Sequence, residues 1–347
     1  MSASLIVSRN ASPTVLQLAL GHGSNERNLL VVLEGQAGNS AYHAGVLEYL
    51  ARADNINIVG LIGTSGGAKT AVVAALGHLR NGEQGLIEDL YAYWQSVGRE
   101  GDKYTLSFNP LMNMFAAVNR TLCLADPNKV ARTLEAIDRH HMSEADLREL
   151  SSNGLYVGMN AVCAKTGDDI YFGVDHLDHS VIQATAAFDP VFPAVHVSEK
   201  RDARTGQIIF KGGPCRDGAQ GGENPISVRA LKDFERRHPE VVGNYDVLVV
   251  SLGTKEADAA HTLSPRFDRD KLVTIEAIEK LRDTLGRRLH VIHADIPSHH
   301  LSKPFEIDVS KVNDLSQRGF YQAARDLPRV LGITKERVFN TRPRLAQ

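Results

Sequence analysis

An α/β fold with a mostly parallel central sheet flanked by helices is predicted by three features of this sequence. From Asn28 onward short apolar runs alternate with longer helical patterns, further apolar runs recur through the second half, and no repeat or long Pro/Gly linker divides the chain. The opening reads LLVVLE (strand), SAYHAGVLEYLARAD (helix), INIVGLIG (strand) and GGAKTAVVAALGHLR (helix), a β-α-β-α start whose natural consequence is parallel strands. From 81 to 152 helical periodicity is interrupted at Asn109-Pro110 and Asp126-Pro127, which predicts an inserted helical layer. LYVGMNAVCA, DIYFGV, QIIFKG and YDVLVVSLG predict four more strands, Asp295 to Phe305 a loop, and the stretch around Val309 to Leu327 two terminal helices. The expected organisation is an N-terminal extension over 1–27 followed by one domain over 28–347.

With 347 residues, 43% hydrophobic and 23% charged, the chain can bury a large core. A net charge of -2 provides no basic footprint, so nucleic acid is not an expected partner. Cys123, Cys163 and Cys215 are odd in number and lack a C-x-x-C pair, which argues against a disulfide framework and against structural zinc. No basic start with an apolar signal-length stretch occurs, nor a run of about 18 apolar residues. The expected location is the cytoplasm or the periphery of a membrane surface.

Gly63-Thr64-Ser65-Gly66-Gly67 is a G-x-S-x-G sequence set between a predicted strand and a predicted helix. A serine on such a turn is lifted out of the sheet, and flanking glycines let backbone pass closely. The helix that follows directs free N–H groups and its positive dipole end toward charge developing at Ser65. By itself the pentapeptide reads equally as a flexible turn. A rival reading is a phosphate loop, because Gly63 to Thr70 ends in Lys69-Thr70, yet Ala68 occupies the place of the second glycine in G-x-x-x-x-G-K-[ST].

One crossover earlier, Gly35-Gln36-Ala37-Gly38-Asn39-Ser40 follows LLVVLE. Small residues after a parallel strand expose successive backbone amides, which suits a carbonyl oxygen becoming an oxyanion. A right-handed β-α-β connection sets this loop beside the serine turn.

A serine nucleophile needs a base. His238, His261, His290, His293, His299 and His300 lie downstream, none in a Gly-rich turn after a clear strand. Asp217 follows the apolar QIIFKG run and is flanked by Gly212, Gly213, Gly218, Gly221 and Gly222. An Asp-Gly turn more often caps its own backbone, so the residues alone leave the base open.

Taken in order, the Gly-containing loop, the serine turn and Asp217-Gly218-Ala219 resemble the patatin-like phospholipase family. The resemblance extends to AYHAGVLEYL, to ATAAFDPVFPAV (184–195), to Asn224-Pro225 and to VLVVSLGT, and so covers about 28–254. It implies a layered α/β fold, Ser65 as nucleophile and Asp217 as general base. It also implies an oxyanion hole from Gly35, Gln36, Ala37, Gly38 and the Gly66 amide, with Gly63, Gly67, Gly218 and Ala219 as supporting turn residues. The implied activity is release of fatty acid from phospholipids or other acyl lipids, with no cofactor and no metal. Membrane contact would be peripheral, and the sequence does not reveal an activating protein partner.

The first loop departs from the family's Gly-Gly-Gly-x-Arg/Lys-Gly by losing two early glycines, the basic residue and the last glycine. Because the donors are backbone amides, activity can survive this, while one misdirected donor lowers the rate by about a hundredfold or more. A weak or inert lipid-binding member is therefore the alternative. SFNPLMNMFAAV (107–118) offers Phe108, Leu111, Met112, Met114 and Phe115 as an acyl channel, lid or ordinary core, and Lys69 reads as a solvated surface lysine or a head-group contact.

Overall fold

A computed structural model describes residues 26–103, 127–153, 155–189, 192–221, 228–252, 276, 278–301 and 307–333. The apolar run RNLLVVL forms β1 (Arg27–Leu33), and a 3-10 turn over Ala37–Ala41 leads into α1 (Tyr42–Arg52). INIVGLIG forms β2 (Ile56–Gly63), parallel to β1 with Leu33 opposite Gly63, so the two strands end side by side. Helix α2 (Gly66–Lys103) follows and breaks direction at Asn81 and Gly82, whose backbone is non-helical. Helices α3 (Pro127–His141) and α4 (Glu144–Asn153) belong to the helical stretch expected over 81–152, of which residues 104–126 are outside the described residues. The 107–118 segment lies outside the described residues.

The chain then enters β3 (Tyr156–Cys163), β4 (Asp169–Gly173), the short α5 (His179–Ala184), β5 (Val195–Val197), β6 (Lys200–Arg201), β7 (Ile208–Phe210) and β8 (Gly213–Asp217). Helix α6 (Val228–Arg237), β9 (Tyr245–Ser251), β10 (Leu289–His293), α7 (Ser298–Leu301) and α8 (Val309–Leu331) end the described chain. Among the described residues the main sheet has eight strands in the order β10-β9-β1-β2-β3-β8-β5, with β4 also on β3. From β10 to β3 all neighbours are parallel, and β4, β8 and β5 are antiparallel additions. The fold is thus a mixed α/β layer with a mostly parallel sheet flanked by helices.

Strand β3 organises the edge that matters. Strand β4 takes one side of β3 over Gly158 to Val162. The other side is shared: β2 pairs with Tyr156 to Met159, and β8 with Ala161 to Cys163. Parallel β2 therefore stops opposite Met159, and antiparallel β8 stops opposite Ala161, so the two strand ends face each other along one edge.

Three sequence expectations are corrected. QIIFKG supplies β7, but β7 pairs only with β6 in a separate ribbon, and the strand that carries Asp217 is GPCRD. Its glycine and proline mask the strand pattern. The two terminal helices are one, α8, capped by Asp308, whose side chain accepts from the Lys311 amide. The expected loop from Asp295 contains one helical turn, α7.

Helix α1 lies beneath α8 and is buried along its whole length. The two helices meet at glycines: a Cβ on Gly45 would stand 1.8 Å from the Ser316 carbonyl oxygen, and one on Gly319 2.1 Å from that of Tyr42. Gly319 marks a close crossing and does not end the helix. Among the described residues, no helix is long and apolar enough to cross a membrane.

Candidate active site

The turn after β2 holds Ser65 at φ 53°, a left-handed conformation that few residues other than glycine adopt. Helix α2 begins immediately afterwards, with the Gly67 and Ala68 amides donating to the Thr64 carbonyl at 2.8 and 3.2 Å. Crowding explains the small residues. A Cβ on Gly67 would stand 2.2 Å from the Leu33 carbonyl oxygen, and one on Gly63 2.4 Å from that of Gly67.

Ser65 Oγ donates to Asp217 Oδ2 at 2.6 Å. The other carboxylate oxygen, Oδ1, accepts from the Ala219 amide at 2.8 Å. The self-capping Asp-Gly turn and the serine contact therefore coexist, one on each oxygen. Both groups are enclosed, with Ser65 8% and Asp217 1% exposed.

A polar scaffold fixes the two ends. Thr185 Oγ1 accepts from the Ser65 amide at 3.2 Å and donates to the Asn160 carbonyl at 2.7 Å. Asn160 Oδ1 accepts from Thr64 Oγ1 at 2.6 Å, and its amide nitrogen donates to the Gly218 carbonyl at 3.3 Å. The Asp217 amide donates to Ala187 and that of Gly218 to Thr185. Asn160 and Thr185 were not singled out in the sequence; the only signal was the position of Thr185 inside ATAAFDPVFPAV. Of that segment, Pro190 and Val191 lie outside the described residues, as do Gly222 and Asn224-Pro225.

The loop after β1 is brought against the serine turn. A Cβ on Gly35 would stand 2.4 Å from both Ser65 Cβ and the Thr64 carbonyl oxygen. A Cβ on Gly66 would stand 2.5 Å from Ser40 Oγ and 2.8 Å from the Ala37 carbonyl oxygen. Ala37 has φ 46°, and it opens the 3-10 turn in which the Asn39 amide donates to the Gln36 carbonyl at 3.0 Å. The Gln36 amide donates to Ser40 Oγ at 3.1 Å, so among the expected donors it is already engaged. Ala37 and Gly38 precede the first amide bonded within their turn, and Gly66 opens α2, so these three amides lack an acceptor in their own helices.

Below the loop, His43 is fully buried and its Nε2 lies 2.7 Å from the Glu34 carbonyl oxygen. Burial lowers the His43 pKa to about 4, with the Glu34 contact acting in the opposite direction. The Glu34 carboxylate accepts from Ser251 Oγ and the Leu252 amide, both at 2.7 Å, which ties the end of β1 to the end of β9.

Lys69 is neither a surface lysine nor a head-group contact. It is buried, and its Nζ lies 2.7 Å from Asp138 Oδ2 of α3, while Tyr93 donates to Asp138 Oδ1 at 3.1 Å. Burial and the Asp138 charge raise the Tyr93 pKa well above its ordinary value. A phosphate-loop lysine would present this amine to a ligand.

The downstream histidines have partners elsewhere. His238 Nδ1 lies 3.2 Å from Glu240 Oε1, His290 Nε2 3.5 Å from Asp246 Oδ2, and His300 Nε2 3.1 Å from Asp314 Oδ2. The His293 carbonyl accepts from Gln322, and His299 packs on the His300 ring. His261 and Cys123 lie outside the described residues. Among the described residues there is no group of three or more His, Cys, Asp or Glu that could hold a metal ion.

No family model and no curated protein matches the chain. Among solved structures it is similar to VipD from Legionella pneumophila, at 13% identity and a TM-score of 0.36, over 85% of this chain and 67% of that one. It is similar to type III effector protein ExoU at 12% identity and a TM-score of 0.35, over 88% of this chain and 53% of that one. A structure of the heterodimeric complex ExoU-SpcU, from the type III secretion system of Pseudomonas aeruginosa, matches at 15% identity and a TM-score of 0.33, over 91% and 54% of the two chains. The chain spans about half the length of the ExoU chains it matches.

Proposed function

We propose that this chain is a patatin-like serine acyl hydrolase, with Ser65 as nucleophile and Asp217 as general base. The observation that carries the reading is the 2.6 Å contact from Ser65 Oγ to Asp217 Oδ2, made by a serine in left-handed backbone at the start of a helix. As Ser65 Oγ attacks an ester carbonyl, its proton passes to Asp217, and the amides of Gly66, Ala37 and Gly38 receive the developing oxyanion. Collapse of the tetrahedral intermediate expels the alcohol, which takes the proton from Asp217. Water activated by Asp217 then cleaves the acyl-enzyme. No step calls on a metal or cofactor. The substrate class, phospholipids or other fatty acyl esters met at a membrane surface, follows from the motif resemblance.

One observation favours a second reading, an inert or weak lipid-binding member: the Gln36 amide is held by Ser40 Oγ and does not join the donors. Fatty-acid release from mixed phospholipid vesicles, together with hydrolysis of a short-chain chromogenic ester, separates the two. Activity in the intact protein that is lost in both Ser65→Ala and Asp217→Asn supports the hydrolase. An intact protein that binds vesicles and releases no acid supports the second reading.

A further inference from the structure

Two of the three cysteines face each other between β3 and β8, the strand that carries Asp217. In the β3–β8 ladder Cys163 is opposite Cys215, just as Ala161 is opposite Asp217. The next pair along is Ala164 and Pro214, in which the Ala164 amide donates to the Pro214 carbonyl at 2.8 Å. Hydrogen-bonded and non-hydrogen-bonded pairs alternate along an antiparallel ladder, so Cys163 and Cys215 occupy a non-hydrogen-bonded pair. That is the closer kind, with Cα atoms about 4.5 Å apart, inside the range of roughly 4.4–6.8 Å that a disulfide spans. Directly opposite side chains share one face of the sheet, so neither strand has to turn for the sulfurs to meet.

The two thiols differ as a redox pair requires. Cys163 is half-buried at the sheet margin, and a hydrogen bond from Thr166 lowers its pKa, which favours thiolate attack from solvent. Cys215 is buried, and desolvation followed by the charge of Cys163 pushes its thiol up to about 12. It waits as the resolving thiol.

We propose that Cys163 and Cys215 form a reversible cross-strand disulfide on exposure to a small-molecule disulfide such as oxidised glutathione, and that its closure displaces Asp217. The Cys163 thiolate attacks one sulfur of the glutathione disulfide, forming a mixed disulfide and releasing one glutathione thiolate. The Cys215 thiol then loses its proton and attacks the Cys163 sulfur, releasing the second. In sum two protein thiols become one disulfide, and one glutathione disulfide becomes two glutathione thiols. The bond draws the opposed Cβ atoms from about 4.5–5.5 Å to about 3.8 Å. This contraction falls two residues, about 6.6 Å, from Asp217 on the same face of β8. A shift of about 1 Å at reacting groups lowers a rate by about a hundredfold. The regulatory half of the proposal rests on the Ser65–Asp217 reading above; the disulfide does not.

The test incubates the 347-residue chain, and its Cys163→Ser, Cys215→Ala and Cys123→Ser variants, with oxidised glutathione. Free thiols are counted, cysteine peptides are mapped, and ester hydrolysis is measured before and after dithiothreitol. The expected result is loss of two thiols with a Cys163–Cys215 peptide pair, in the intact protein and Cys123→Ser alone. Hydrolysis should fall about 10- to 100-fold, recover with dithiothreitol, and resist oxidation in Cys163→Ser. Persistence of the Cys163 and Cys215 thiols, a pair that includes Cys123, or a reaction halted at a glutathione adduct overturns the disulfide. A mapped Cys163–Cys215 bond with unchanged hydrolysis overturns the switch. A reduced protein without any hydrolysis instead counts against the proposed function, and the thiol count still decides the disulfide.

Discussion

Ser65 and Asp217 are 152 residues apart in sequence, yet Ser65 Oγ stands 2.6 Å from Asp217 Oδ2, because β2 and β8 end toward each other on one side of β3. Asp217→Asn keeps the shape of this contact and removes the proposed base. Ester hydrolysis is expected to fall about 10²- to 10⁴-fold in Asp217→Asn, with far-ultraviolet circular dichroism unchanged.

The φ of 53° at Ser65 has a separate thermodynamic consequence. Glycine adopts this conformation without the Cβ penalty that alanine and serine bear. Ser65→Gly should therefore be more stable than Ser65→Ala by about 1 kcal/mol in chemical denaturation, while both lack hydrolysis. Equal stabilities would show that the turn is unstrained.

Gly66 touches both sides of the candidate oxyanion site, since a Cβ there would stand 2.5 Å from Ser40 Oγ and 2.8 Å from the Ala37 carbonyl oxygen. Gly66→Ala must push the loop and the helix start apart and misdirect an amide. A drop in kcat of about 10²- to 10³-fold is expected, with a much smaller change in melting temperature than in rate. Retained kcat would remove Gly66 from the donor set.

The pairing of Lys69 with Asp138 is enclosed, with Asp138 0% exposed. Lys69→Met leaves the buried Asp138 carboxylate with its charge uncompensated and the Tyr93 hydroxyl still donating to it; the expected loss of stability is about 3–5 kcal/mol. The double variant Lys69→Met with Asp138→Leu removes the stranded charge and should recover most of that loss. Urea denaturation of the three variants measures the coupling.

His43 links stability to pH. Its folded pKa of about 4 lies below the ordinary 6.5, so the unfolded chain binds more protons between these values and stability rises with pH. The His43 contribution is fully present above about pH 6.5 and is lost as pH falls toward about 4, amounting to about 3 kcal/mol. His43→Gln should flatten this part of the melting-temperature profile relative to the intact protein, and an unchanged slope would refute the assignment.

The sequence by itself determined the β-α-β-α opening, because apolar runs and helical periodicity are local signals that neighbouring residues carry. It also determined which residue types compete for chemistry: a serine between glycines at a strand-to-helix turn, and an aspartate in a glycine-rich turn. It did not reveal GPCRD as a strand, since glycine and proline there obscure the pattern and only pairing with β3 and β5 makes it one. Nor did it distinguish an exposed Lys69 from the buried partner of Asp138, or say whether the Asp217 turn or a histidine would stand beside Ser65. Those outcomes depend on contacts between residues far apart in the chain, set by strand order and helix packing, and only the tertiary structure decided them.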